Sequence, residues 1–287
     1  PHVGSDTVRA VTDSTAGDAP ADNTPAIDGF RAETFTFASR ARTIYTGGDG
    51  PAVIVMAEMP GITPAVIAFA RRVIDAGFTV VMPVLFGEPG RDISLPYMAT
   101  SLAPACVSKE FRAFALRTTP PAIDWLRALA RQCHERHGGP GVGAVGMCFT
   151  GGFALAMATE PEMLAPVLSQ PSLPIGGAKR KADLGLSDAD LMAVRDRVDS
   201  DDICVLGLRF TGDKLAPPER FASLRRELGE NFIGVEIDSS PGNPWGHRRL
   251  AHSVLAEDLV DEPGQPTHEA LEQVLQFLRD RLLAPSG

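Results

Sequence analysis

No part of this sequence approaches the roughly 18 consecutive apolar residues that a membrane-spanning helix requires, so no membrane partner is expected. Cysteine is scarce. The four, Cys106, Cys133, Cys148 and Cys204, stand far apart with no C-x-x-C pair, which leaves zinc-ribbon and thioredoxin-like chemistry without support. In a chain this long they need not pair, and a reducing, cytoplasmic setting fits them best. Lysine is equally rare: only Lys109, Lys179, Lys181 and Lys214 occur, and arginine carries nearly all the basic charge. At a net charge of −9 there is no basic stripe, so nucleic acid is not an expected partner. Residues 1–28 lack the basic start and apolar centre of a signal peptide and are polar, acidic and rich in Ala, Thr and Asp. They read as a weakly structured arm. No internal repeat or mid-chain linker breaks residues 29–287, which read as a single domain.

What is present is an ordinary globular composition, 44% apolar and 22% charged, enough for a large core. Alternation at Glu33–Phe37 and again at Thr43–Tyr45 predicts two antiparallel edge strands. Residues 52–57 and 78–83 are apolar on both faces, as buried parallel strands are. Between them Thr63 caps a helix that has Pro64 at its first position. Strand, helix, strand implies a parallel sheet with right-handed crossovers. A Pro- and Gly-containing insert at 84–118 interrupts the pattern, and inserts of that length are usually functional covers. Further helices are expected from Thr119-Pro120-Pro121 to near His137-Gly138-Gly139 and over 187–198, 217–228 and 267–283. Strands are expected over 142–147, 163–168, 203–208 and 232–237.

One run stands out. Val142-Gly143-Ala144-Val145-Gly146-Met147 is a short apolar strand, Gly151-Gly152-Phe153-Ala154 starts a helix, and Cys148 sits at the join. A strand turning sharply into a helix needs small neighbours, and this is the physics of the G-x-S-x-G nucleophile elbow with cysteine in place of serine. The helix start would stabilise a thiolate and offer N–H groups to an oxyanion. Parallel α/β sheets place their sites at the carboxyl ends of strands. There, in chain order, stand Glu58, Cys148, Asp213 and a last loop holding His247 and His252. Nucleophile, acid, histidine is the order of α/β-hydrolases. Each residue also has an ordinary structural reading: Cys148 as a buried core cysteine, Asp213 as a turn residue, the histidines as surface loop residues and Glu58 as a solvated cap. Order alone does not choose between the two histidines.

The chain resembles the dienelactone hydrolase family from about residue 30 to the C-terminus. The likeness is carried by Val55-Met56-Ala57-Glu58-Met59-Pro60-Gly61, Gly146-Met147-Cys148-Phe149-Thr150-Gly151-Gly152, Thr211-Gly212-Asp213 and Ala251-His252-Ser253. The resemblance implies an α/β-hydrolase fold with a mostly parallel sheet flanked by helices. It also implies a Cys148–Asp213–His252 triad, preferring His252 because the family histidine precedes a serine. Glu58 would be the glutamate that gates the nucleophile, and the N–H groups of Phe149 and Met59 the oxyanion hole. The implied substrate is a small-molecule ester or enol-lactone, with no metal and no organic cofactor. Two departures stand out. Thr150 replaces a glycine, which would tighten the elbow or re-aim Cys148, and the family's substrate-carboxylate arginines map only onto candidates, Arg91, Arg112 and Arg209. The same residues also fit a non-hydrolytic binding protein or a thiol-redox sensor.

Overall fold

The structure is a computed structural model that describes residues 24–94, 96–97, 118–173 and 180–283. Its frame is an eight-stranded sheet, ordered β1-β2-β4-β3-β5-β6-β7-β8. The strands are β1 (Arg31–Phe37), β2 (Arg40–Gly47), β3 (Ala52–Met56), β4 (Thr79–Pro83), β5 (Val142–Met147), β6 (Met163–Ser169), β7 (Val205–Phe210) and β8 (Phe232–Ile237). The first two form the expected hairpin, and β2 joins β4 antiparallel. Every pairing from β4 to β8 is parallel. The hairpin turns through Ala38 and Ser39, both at positive φ, the twist that a two-residue connection demands.

Among the described residues the α-helices are α1 (Pro64–Asp75), α2 (Pro121–His137), α3 (Gly151–Met157), α4 (Asp188–Asp201), α5 (Pro218–Leu228) and α6 (Pro266–Leu282). Two caps follow directly from sequence. Thr63 accepts a hydrogen bond from the Val66 N–H to open α1, and Ser187 does the same for Asp190 at α4. The expected strand at 203–208 instead spans Val205–Phe210, with Ile203 buried just ahead of it.

Two apolar cores lie on opposite faces of the sheet, and strand alternation builds them. In β3, Ala52, Ile54 and Met56 face one core, together with Ile123 and Leu126 of α2, Phe153 of α3 and Phe221 of α5. Val53 and Val55 face the other, together with Val66 and Phe69 of α1 and Leu271 and Val274 of α6. A strand covered on both sides has no polar face, which is why β3 and β5 read as continuous apolar runs. The result is a helix–sheet–helix sandwich whose parallel strands all deliver their carboxyl ends to one edge.

The expected arm of residues 1–28 lies outside the described residues as far as 23. Its last residues are packed: Ile27 is buried, and Tyr45 donates to the Pro25 carbonyl at 2.6 Å. The insert at 84–118 falls largely outside the described residues, and Arg112 with it. Where it is described, Leu85, Phe86 and Tyr97 are buried. The Tyr97 hydroxyl accepts from the Glu88 N–H at 2.6 Å, and Arg91 stacks over the Tyr97 ring at 4.2 Å.

Candidate active site

The turn after β5 makes the centre of the site. Cys148 stands at φ +55°, a left-handed conformation that side-chain-bearing residues adopt at a cost of order 1–3 kcal/mol. A tight helical turn over Cys148–Thr150 then runs straight into α3. The turn closes so tightly that a Cβ at position 146 would lie 2.1 Å from the Thr150 carbonyl oxygen, so only glycine fits there. Thr150 is fully buried and holds the bend from inside. Its hydroxyl accepts from the Met147 N–H at 2.8 Å and lies 2.8 Å from the Met56 carbonyl and 2.9 Å from the Met147 carbonyl. The departure from glycine therefore adds a brace between the ends of β3 and β5. Cys148 itself is only partly buried, and its carbonyl accepts from the Ser172 N–H at 2.9 Å.

The other strand ends deliver their residues to this turn. Asp213, three residues beyond β7, is buried and holds His252 Nδ1 at 2.7 Å. Its second oxygen accepts from the Leu215 N–H at 2.8 Å, which fixes the carboxylate plane. Asp258 accepts from the backbone N–H groups of His252 and Ser253 at 2.8 and 3.1 Å, which pins the loop carrying the imidazole. His252 Nε2 is shielded from solvent and has no nitrogen or oxygen partner at hydrogen-bond distance. It stands 4.0 Å from Glu58 Oε2. The ligating atoms of Glu58, Cys148 and His252 all lie within 4.8 Å of one another. Burial opposes a charge on the imidazole, but the hydrogen bond to Asp213 and the interaction with the Cys148 sulfur outweigh it and push the pKa up to about 11.

Glu58 is buried at the end of β3 among polar donors. Ser253 Oγ donates to Oε1, and Gln170 Nε2 donates to Oε2 at 3.3 Å. Burial raises its pKa above the usual carboxylate range, against the lowering effects of His252, Ser253 and Gln170. Gln170 is fully buried at φ +36° immediately after β6. Its own Oε1 accepts from Ser169 Oγ and from the Val254 N–H at 3.2 Å. Sequence reasoning missed Gln170. Its one signal is its place, at the carboxyl end of a central strand and directly before Pro171.

The two histidines separate cleanly. His247 packs edge-on against Phe210 at 5.2 Å, and burial lowers its pKa. His252 alone of the two meets Asp213. Met59 and Phe149 follow Glu58 and Cys148 directly, so their backbone N–H groups belong to the two turns that border the sulfur.

Arg209 is corrected: it is not a substrate arginine. It is 1% exposed, its Nε donates to the Ala216 carbonyl at 2.7 Å, its Nη2 to the Thr211 carbonyl at 3.0 Å, and its Nη1 pairs with Glu236. The guanidinium is closed off from solvent and faces internal acceptors. A second buried arginine, Arg220, was not anticipated. It donates to the carbonyls of Asp183, Pro171 and Leu215 at 2.8, 2.8 and 3.0 Å, tying the Asp213 loop to the segment after β6.

The turn at positive φ after β5, the Asp213–His252 pair on later loops and this strand order are those of the α/β-hydrolase fold. Residues 41–175 match the Dienelactone hydrolase family. No curated protein sequence matches the chain. Among solved structures it is similar to a dienelactone hydrolase from Anabaena variabilis, with a TM-score of 0.53 at 16% identity over 88% of this chain and 98% of that one. It is also similar to a dienelactone hydrolase-like promiscuous phosphotriesterase from metagenomic libraries, with a TM-score of 0.56 at 17% identity over 88% and 98%. A cold-adapted esterase from an Arctic intertidal metagenomic library gives 0.55 at 12% identity over 91% and 98%.

Proposed function

We propose that the protein is a cysteine hydrolase that cleaves a small ester or enol-lactone through an acyl-thioester. The family match and the fold support a hydrolase. The observation that carries the finer reading is the strained Cys148 within 4.8 Å of both the His252 imidazole and the Glu58 carboxyl. The imidazole is in turn held by Asp213 at 2.7 Å. An imidazole with a pKa pushed up to about 11 is cationic at neutral pH, sustained by the Asp213 carboxylate and by the Cys148 sulfur beside it.

In the reaction the Cys148 sulfur attacks the substrate carbonyl. The oxyanion that forms accepts hydrogen bonds from the N–H groups of Phe149 and Met59, each donor worth about 2.7–4 kcal/mol. His252 Nε2 gives its proton to the departing alkoxide or enolate, which leaves a neutral imidazole and a thioester. That imidazole then takes a proton from water as the hydroxide attacks the thioester. The carboxylic acid departs and the thiolate–imidazolium pair returns. Asp213 keeps the ring in one tautomer throughout. Burial disfavours charge on Glu58, which lessens its competition with the sulfur for the imidazole until substrate displaces it. No metal or organic cofactor enters this scheme, and the substrate is a small molecule.

The test is direct. The protein is incubated with p-nitrophenyl acetate and with a dienelactone, and Cys148 is followed by intact-mass and peptide mass spectrometry. The expected result is turnover with an acyl adduct on Cys148 that disappears as substrate is exhausted. Turnover undiminished in Cys148→Ala overturns the reading. Selective sulfenylation of Cys148 with no acyl adduct from either ester replaces it with a redox sensor.

A further inference from the structure

The geometry points to a second use of the same three side chains: Glu58, Cys148 and His252 form a site for a thiophilic divalent cation of the zinc class, whose binding reversibly silences the sulfur. One sulfur, one imidazole nitrogen and one carboxylate oxygen are a common donor set for zinc. In a tetrahedral site with bonds of about 2.0–2.3 Å the ligating atoms sit roughly 3.4–3.7 Å apart. Here they already lie within 4.8 Å of one another, and the Glu58 Oε2–His252 Nε2 separation is 4.0 Å. Closing the triangle on a metal needs shifts within the freedom of side-chain torsions. Cys148 is only partly buried, which suits a fourth position taken by water.

The surroundings are those that metal sites use. A ligating histidine needs its far nitrogen donated to a carboxylate, which directs the near lone pair at the ion. His252 Nδ1 is held by Asp213 at 2.7 Å, while Nε2 is buried and lacks a nitrogen or oxygen partner. A ligating carboxylate needs its own hydrogen bonds. Glu58 takes one from Ser253 and one from Gln170, whose amide is itself anchored to the Val254 N–H.

Binding exchanges ions without redox change. The cation joins the sulfur, the nitrogen and the oxygen, and the protons held by Cys148, His252 and Glu58 at those atoms leave for solvent. The sulfur lone pair is then committed to the metal and no longer attacks a carbonyl. Binding depends on the geometry alone, whereas its effect on turnover rests on the hydrolase reading.

The experiment uses the full-length protein, reduced and metal-free, titrated with Co²⁺ and then Zn²⁺. Tetrahedral cobalt with one thiolate gives d–d bands in the visible and a sulfur-to-metal charge-transfer band in the near ultraviolet. One equivalent of each is expected to appear and then to be erased by one equivalent of Zn²⁺. Cys148→Ser and His252→Gln are expected to lose the bands, Asp213→Asn to weaken binding about 10–100-fold, and Cys204→Ser to leave it unchanged. Circular dichroism confirms that each variant is folded. Bands that persist in Cys148→Ser, or no cobalt spectrum in folded wild-type protein, overturn the site. Ester turnover is measured in parallel. Loss of turnover with Zn²⁺ and recovery with EDTA supports silencing. Turnover that persists at one bound Zn²⁺ refutes it. If no ester is turned over at all, the hydrolase reading fails while the cobalt spectrum still decides the site.

Discussion

Replacing Thr150 by valine tests the elbow at its least obvious point. The two side chains have nearly the same shape, so little cavity forms. What disappears is a hydroxyl that accepts from the Met147 N–H at 2.8 Å and has the Met56 and Met147 carbonyls within 2.9 Å. One hydroxyl proton serves one carbonyl at a time, so the substitution removes two hydrogen bonds and strands a buried N–H. A stranded buried donor costs about 1–3 kcal/mol. The expected loss is about 2 kcal/mol of unfolding free energy, read from urea denaturation. Thr150→Ser keeps the hydroxyl and gives up one buried methyl, about 0.8 kcal/mol. The brace also holds Cys148 at φ +55°, so Thr150→Val is expected to lower kcat for p-nitrophenyl acetate at least 10-fold, with a smaller change in KM. The argument is refuted if valine costs under about 0.5 kcal/mol, or if serine is as damaging as valine.

Substituting His252 by Ala is expected to abolish turnover, while His247→Ala costs activity less than about 10-fold, since only His252 meets Asp213; comparable losses in steady-state assays would reassign the base. Glu58→Gln is expected to change the rate of Cys148 alkylation by iodoacetamide, because the carboxyl stands 4.0 Å from the imidazole; an unchanged rate removes Glu58 from the gating role. His252 has a folded pKa raised from 6.5 to about 11, so it contributes stability that is fully present below pH 6.5 and lost as pH rises toward 11. Denaturation midpoints are therefore expected to fall more steeply with pH in wild type than in His252→Gln, and parallel curves would contradict the raised pKa. Arg209→Met is expected to cost on the order of 3 kcal/mol in stability and to leave KM unchanged, as the guanidinium serves only internal acceptors; a raised KM at full stability would restore it as a substrate contact.

The parallel strands, and the gathering of Glu58, Cys148, Asp213 and His252 at one edge of the sheet, were legible because both are written locally. Apolar runs covered on both faces mark parallel strands, and the residue that follows each run lands at the same edge of the sheet. Glu58, Cys148, Asp213 and His252 needed no knowledge of which strand sits beside which. Arg209 needed that knowledge. It too stands near a strand end, yet its neighbours Leu208 and Phe210 pack into one core and Arg209 points to the opposite face. There it sits over the Phe221 ring at 5.6 Å and meets Glu236, its register partner on β8. A period of two decides which face a side chain takes, but only the pairing tells whether that face holds an acceptor or opens to a site.

Gln170 shows the same limit from the other side. It lies at a strand end, where sites gather, but a lone buried glutamine carries no chemistry that a sequence motif would flag. Its meaning comes from what folding brings to it: the Glu58 carboxylate from 112 positions away and the Val254 N–H from 84. One amide satisfies both, donating through Nε2 and accepting through Oε1. A leucine of similar size would leave the Val254 N–H stranded and Glu58 short of one donor. A glutamate would place a second carboxylate against the first, and like charges in a buried place cannot both ionise. The residue type is therefore dictated by these two distant partners together, beside its neighbour Ser169. Those partners come from opposite ends of the chain, so the constraint exists only once the sheet has closed.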